Sequence, residues 1–130
     1  MGQPAAKQGD RVVAVDIHIV MAGVPPAPVP LPHPFSGLLS GGLSSDVKIM
    51  GKPAAVVGST ADNTPPHLPT APGTSFQRPP ANKATVQLGS QTVMVNGKPL
   101  ARNGDKALTC NDPSDLPVGT VVAVGTVMVG

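Results

Sequence analysis

"KPLARNGD" at residues 98–105 has two near-copies, "QPAAKQGD" at 3–10 and "KPAAVVGS" at 52–59. The prolines Pro4, Pro53 and Pro99 stand 49 and 46 residues apart, and each is followed by an alanine two residues on and a glycine five residues on. Near-equal periods of this size are the mark of one supersecondary unit written several times. Each copy has a physical logic. Proline opens a short strand at a place where no ladder hydrogen bond is donated, small alanine packs closely, and glycine supplies a sharp turn. Three copies in 130 residues can close around a pseudo-threefold axis.

Composition points the same way. The chain holds 17 Pro and 15 Gly, its only aromatics are Phe35 and Phe76, and every acidic residue is Asp. Asp favours turns and caps over helix interiors, and frequent proline forbids long helices. With so little aromatic mass the core must be made of Val, Ile, Leu, Met and Ala, and it is thin. The nine Lys and Arg are scattered singly, giving a net charge of +2 without a basic stripe interleaved with stacking aromatics, so nucleic acid is not an expected partner. No apolar run approaches a membrane span, and the N-terminus lacks the layout of a signal peptide. The protein is therefore expected to be made in the cytoplasm and, if exported, to leave by another route. A lone cysteine, Cys110, excludes an internal disulfide.

The pattern along the chain predicts a single all-β domain over 1–130, with repeats near 3–20, 46–67 and 92–112. In "RVVAVDIHIV" (11–20), Val12, Ala14, Asp16, His18 and Val20 share one strand face, which therefore carries a polar patch. Two Pro-rich loops are expected at 24–36 and 64–81, the first extended and polyproline-like. Gly89-Ser90 and Asn96-Gly97 read as hairpin turns, and "VGTVVAVGTVMVG" at the C-terminus reads as one or two strands.

His18 and His67 each lie nine residues after the glycine of their repeat, whereas Pro113 takes that place in the third repeat and Cys110 stands three residues before it. Units related by a threefold axis bring equivalent positions together at one end, so two imidazoles and one thiolate are expected to converge. His33, at the far end of the first Pro-rich stretch, could reach in as a fourth ligand, or a water could take its place. Three nitrogens and one sulfur suit a closed structural Zn²⁺ site; iron is less favoured by a thiolate-plus-imidazole tetrahedron.

The threefold phrase also resembles the Pro-Ala-Ala-Arg motif of PAAR-repeat proteins, the tips of type VI secretion systems and related contractile injection machines. The copies here are "PAAK" (4–7), "PAAV" (53–56) and "PLAR" (99–102), and the resemblance runs from Gln3 to the last strand. It implies a small conical β-structure with a pseudo-threefold base and a metal ion, typically zinc, held near the vertex by three His and one Cys. The matching residues are His18, His33, His67 and Cys110. It further implies that the base caps a trimeric spike protein, VgrG in type VI systems, that the tip helps puncture a target membrane, and that effectors could attach noncovalently. The chain stops at Gly130, a few residues past the last predicted strand, so no effector domain is expected after it.

Two other functions bear on the same residues. A catalytic zinc would need an open coordination position and a base; with no Glu, Asp16, two residues from His18 on the same face, is the candidate. A soluble adaptor or adhesin would instead display the Pro-rich loops to a partner.

Overall fold

The computed structural model describes residues 2–130 and is built of strands, with no helix among the described residues. In chain order the strands are β1 (Gln3–Pro4), β2 (Arg11–Ala22), β3 (Ala27–Gly41), β4 (Lys48–Ile49), β5 (Lys52–Pro53), β6 (Thr60–Asn63), β7 (Gly73–Phe76), β8 (Lys83–Val86), β9 (Met94–Val95), β10 (Lys98–Pro99), β11 (Lys106–Thr109), β12 (Leu116–Val122) and β13 (Met128–Val129). The main sheet runs β12-β11-β8-β6-β3-β2, with β12 pairing back onto β2 to close a small barrel and β7 added to the far end of β2.

Below the barrel the three copies of the phrase meet at the axis. Ala6 N–H donates to Ala101 O, Ala101 N–H to Ala55 O and Ala55 N–H to Ala6 O, all at 2.9–3.0 Å, so the three backbones hold one another in a ring. A second ring links Gln8 to Pro53, Val57 to Pro99 and Asn103 to Pro4, each at 2.9 Å. Ala6, Ala55 and Ala101 are wholly buried, which explains the small side chain at this column: three of them face one axis. The column's glycines, Gly9, Gly58 and Gly104, have φ of +91°, +98° and +89°, a conformation that costs other residues about 1–2 kcal/mol. Their N–H groups reach Leu39, Val86 and Val121 of the barrel above, three equivalent buried residues that pack on the alanines.

Each arm also carries a short hairpin facing away from the barrel. β4–β5 and β9–β10 are closed by two-residue turns with both φ positive, Met50-Gly51 (+52°, +83°) and Asn96-Gly97 (+53°, +78°). In the first arm β1 pairs with β13, so the C-terminal strand completes the arm that the N-terminus begins. Ile49, Val95 and Val129 occupy equivalent places in these hairpins and, with Ala5, Ala54, Val56 and Leu100, form a separate apolar cluster at the base.

Two expectations need correction. The first Pro-rich stretch is not a loop beyond residue 27: β3 runs to Gly41 and pairs with β2 along that strand's whole length. Pro28, Pro30, Pro32 and Pro34 fall at every second position. Opposite them, Ile17 and Ile19 turn their backbone N–H groups away from β3, to Asn111 Oδ1 and Asp112 Oδ2. The prolines therefore sit at positions where β3 owes β2 no hydrogen bond, which is the one way a strand accommodates them. The second stretch stays mostly irregular but contains β7. Gly89-Ser90 closes no hairpin: Ser90 N–H bonds to Leu100 O, and β8 pairs instead with β6 and β11. The turn at Met50-Gly51 passed unnoticed in the sequence because Met is a rare occupant of positive φ.

Candidate metal centre

Strand alternation places the polar patch of β2 inside. Val12, Asp16, His18 and Val20 are buried, while Val13, Val15 and Ile17 face out. β2 and β3 are the longest strands, and they rise past the short strands of the other arms. Asp16 and His18 thus lie above the apolar barrel core, where the chain segments following β6 and β11 come over to meet them.

His67 lies on the segment after β6, where Asn82 holds it by accepting its backbone N–H at 2.8 Å. Cys110 follows β11 directly and is buried. One ligand atom each from Asp16, His18, His67 and Cys110 comes within 4.8 Å of all the others, and all four residues are buried. Asp16 is at the centre of the polar contacts. Its Oδ2 accepts from His67 Nε2 at 2.9 Å and from Cys110 Sγ at 3.4 Å, and its Oδ1 accepts from Thr109 Oγ1 at 2.5 Å and Asn111 Nδ2 at 3.4 Å.

Three of the four expected ligands therefore come together: His18, His67 and Cys110. His33 stands beside them but outside the group. It is cross-strand neighbour to Asp16, with its ring 5.5 Å from that of His18 and 5.6 Å from that of His67. Both of its nitrogens are engaged, Nδ1 with Leu31 O at 2.9 Å and Nε2 with the backbone N–H of Thr70 at 3.1 Å. The residue that sequence reasoning cast only as a stand-in base, Asp16, is the one that joins the group. Its spacing of two from His18 on a strand was the signal available.

These four residues could hold a metal ion. The Asp16 carboxylate is fully buried, and its only ion-pair partner among the described residues is His67. Such a carboxylate is costly unless a positive charge offsets it. Burial first, and the Asp16 charge second, push the Cys110 thiol up to about 11. His18 is held below the ordinary imidazole range by burial, only partly opposed by Asp112, so it presents neutral nitrogens. Neither of those nitrogens has a hydrogen-bond partner, the nearest acid being Asp112 Oδ2 at 3.5 Å from Nδ1. Asp112 itself is committed elsewhere, to Ile19 N–H at 2.9 Å and Arg78 at 2.6 Å. A divalent cation would relieve all three costs at once, since it neutralises the carboxylate, favours the thiolate and takes up an imidazole lone pair. Clefts on two sides, one lined by His33 and His67 and the other by His18 and Cys110, give an ion a way in.

Comparison with known proteins agrees with this construction. Residues 36–114, more than half of the chain, match the PAAR motif family. Among curated proteins and among solved structures nothing matches. A family match of that extent, on a chain whose three phrases close into a threefold base, means that this protein belongs to the PAAR motif family.

Proposed function

We propose that the protein is a metal-braced piercing tip of a contractile injection machine of the type VI secretion kind, seated by its base on a trimeric spike protein like VgrG. The observation that carries this reading is the ring of backbone hydrogen bonds among Ala6, Ala55 and Ala101, which gives a single chain three near-equivalent arms. A monomer with three arms can meet a true trimer one arm to each subunit, and covering the trimer's end removes exposed strand edges that would otherwise pair with other chains. The hairpins at that end offer apolar surface for the contact: Val47, Val93 and Val127 are exposed, as are Met50, Met94 and Met128.

The PAAR motif family is one of structural spike tips and not of enzymes, so the ion is read as structural. His18, His67 and Cys110 would hold it, and zinc is the metal their chemistry favours. Bound there, the ion would tie the segments after β6 and β11 to β2 across the top of the barrel. Asn111 and Asp112 already accept hydrogen bonds from β2, and Thr70 donates one to His33 of β3; the ion would add a brace to these in a protein whose core lacks aromatic mass, since a point driven at a membrane must not unfold on impact. On this reading the chain is made in the cytoplasm, leaves as part of the machine, meets its target membrane mechanically and can carry effectors noncovalently.

The test is assembly with the spike trimer of the same machine. Native mass spectrometry of the mixture should show one tip chain per three spike chains, and serine at both Val93 and Met94 should weaken the complex without altering metal content. A stoichiometry of three tips per trimer, or no complex with intact protein, would overturn the reading.

A further inference from the structure

We infer that the outer face of β2 and β12 is a docking surface for one further protein, seated through an amphipathic helix that lies along the barrel flank. The surface stands on its own geometry; that its occupant is cargo carried by the tip rests on the reading above.

The barrel is apolar on one outer wall only. β2 turns Val13, Val15 and Ile17 outward and β12 turns Leu116, Val118 and Val122 outward, all of them exposed, Val15 at 60%. On β3, Pro34 and Pro32 stand opposite Val15 and Ile17 and are exposed as well. The three remaining barrel strands, β6, β8 and β11, present Thr60, Asp62, Lys83, Thr85, Lys106 and Leu108 instead. One small barrel thus carries a solvated wall and an aliphatic wall, and a contiguous aliphatic wall marks a place that another surface covers.

Three features say what covers it. The first is number. Val13 stands four residues after the repeat glycine Gly9, and the equivalent places after Gly58 and Gly104 hold Asp62 and Leu108. The wall therefore occurs once per molecule, whereas a trimeric spike offers every contact three times, so the occupant is one chain per tip. A machine carries one tip, which leaves no second copy of this chain at hand.

The second feature is hydrogen bonding. β2 is paired with β3 along its whole length and with β12 at its lower end, and Asn111 and Asp112 accept the Ile17 and Ile19 N–H groups higher up. No edge is left there for an added strand. A partner must lie on the face, and the element that covers a sheet face is a helix. From Arg11 to Ile17 the face is about 20 Å long, which a helix of about 13 residues spans, its apolar stripe meeting the valines.

The third feature is charge. Arg11 ends the wall toward the base; it is exposed, donates to Ser36 Oγ at 3.0 Å and makes no ion pair among the described residues. Asp115 ends the wall toward the apex, just before Leu116, and is likewise exposed and without an ion pair among the described residues. A positive lower end and a negative upper end fit a helix whose last turn, with a carboxylate, points to the base and whose first turn points to the apex.

The experiment places the photo-cross-linking residue p-benzoylphenylalanine at Val15 of the full chain, and at Lys83 as the opposite-wall control, in cells that assemble the machine. Adducts are identified by mass spectrometry, and the captured protein is purified and titrated onto wild type, Val15→Asp, Arg11→Glu and Lys83→Ala. All three substituted side chains are exposed, so the variants are expected to fold. The expected result is an adduct at Val15 and not at Lys83, with a protein that binds the wild type one to one. Val15→Asp should weaken that binding by more than about tenfold, Arg11→Glu should slow association, and Lys83→Ala should change neither. No adduct, equal adducts at both positions, an adduct with a second copy, a lipid or a spike subunit, or a captured protein that binds Val15→Asp as tightly as wild type would overturn the assignment and leave the tip reading in place. A one-to-one partner at Val15 on a chain that forms no complex with the spike trimer would support the surface and overturn the tip reading.

Discussion

The base and the apex of this molecule are held by different physics. At the base, three backbone segments bond to one another in closed rings, the side chains between them are alanines, and an apolar cluster of hairpin residues lies beneath. At the apex the symmetry is gone: two long strands from the first arm meet loops from the other two, and the interior is Asp16, His18, His67, Thr109 and Asn111. Backbone rings are satisfied by the fold alone. Buried ionisable side chains are not, and they hand the stability of the apex to whatever offsets their charge. On the proposed reading, one end of the molecule is held by backbone groups that satisfy one another and the other would be braced by an ion.

Removing the ion should separate the two most sharply. Chelation, Cys110→Ala or His67→Ala is expected to cost several kcal/mol, part of the ~10–16 kcal/mol apparent contribution of structural zinc in small peptides. That should lower the thermal midpoint by more than about 10 °C. Amide exchange should speed up for residues 63–82 and 109–116 while Ala6, Ala55 and Ala101 stay protected, and equal loss of protection at both ends would break the comparison. Overfilling the axis is the converse perturbation. Ala55→Leu forces a larger side chain between two other buried alanines and should cost about 1–3 kcal/mol with metal content unchanged.

A smaller effect is expected at the turn below the barrel. In Gly58→Ala the new Cβ meets nothing within 4 Å, so the cost is the left-handed φ alone, about 1–2 kcal/mol by denaturant titration. Smallest of all is Lys83→Ala. Its Nζ is 4.0 Å from Asp62 and both side chains are mostly exposed, so stability should stay within about 0.5 kcal/mol of wild type. A larger loss there would mean that the barrel wall, and not the two ends, limits stability.

The same division separates what could be read in the chain from what could not. The threefold base was legible because it is repeated: Pro, Ala and Gly recur at fixed offsets, and each does a backbone task that only its type does well. Convergence of His18, His67 and Cys110 followed from that repeat. The strand character of residues 27–36 was hidden because proline density reads as loop, whereas alternation of Pro28, Pro30, Pro32 and Pro34 against β2 makes the same density compatible with a ladder. The place of Asp16 among the imidazoles and the thiol was hidden for a related reason. Asp16 and His33 are cross-strand neighbours, and the side-chain partners that hold them, Thr109 and Asn111 for one and Thr70 for the other, come from two distant segments.

By itself the amino-acid order determined that this is an all-β chain with three equivalent arms and one gathering of His and Cys, because period, turn chemistry and residue type are local properties. Only the tertiary structure decided that the C-terminal strand completes the first arm, that β3 is a strand, and that a carboxylate stands among the imidazoles and the thiol. Those depend on which distant groups satisfy one another's hydrogen bonds and charges, and a buried donor or anion is matched in space, not along the chain.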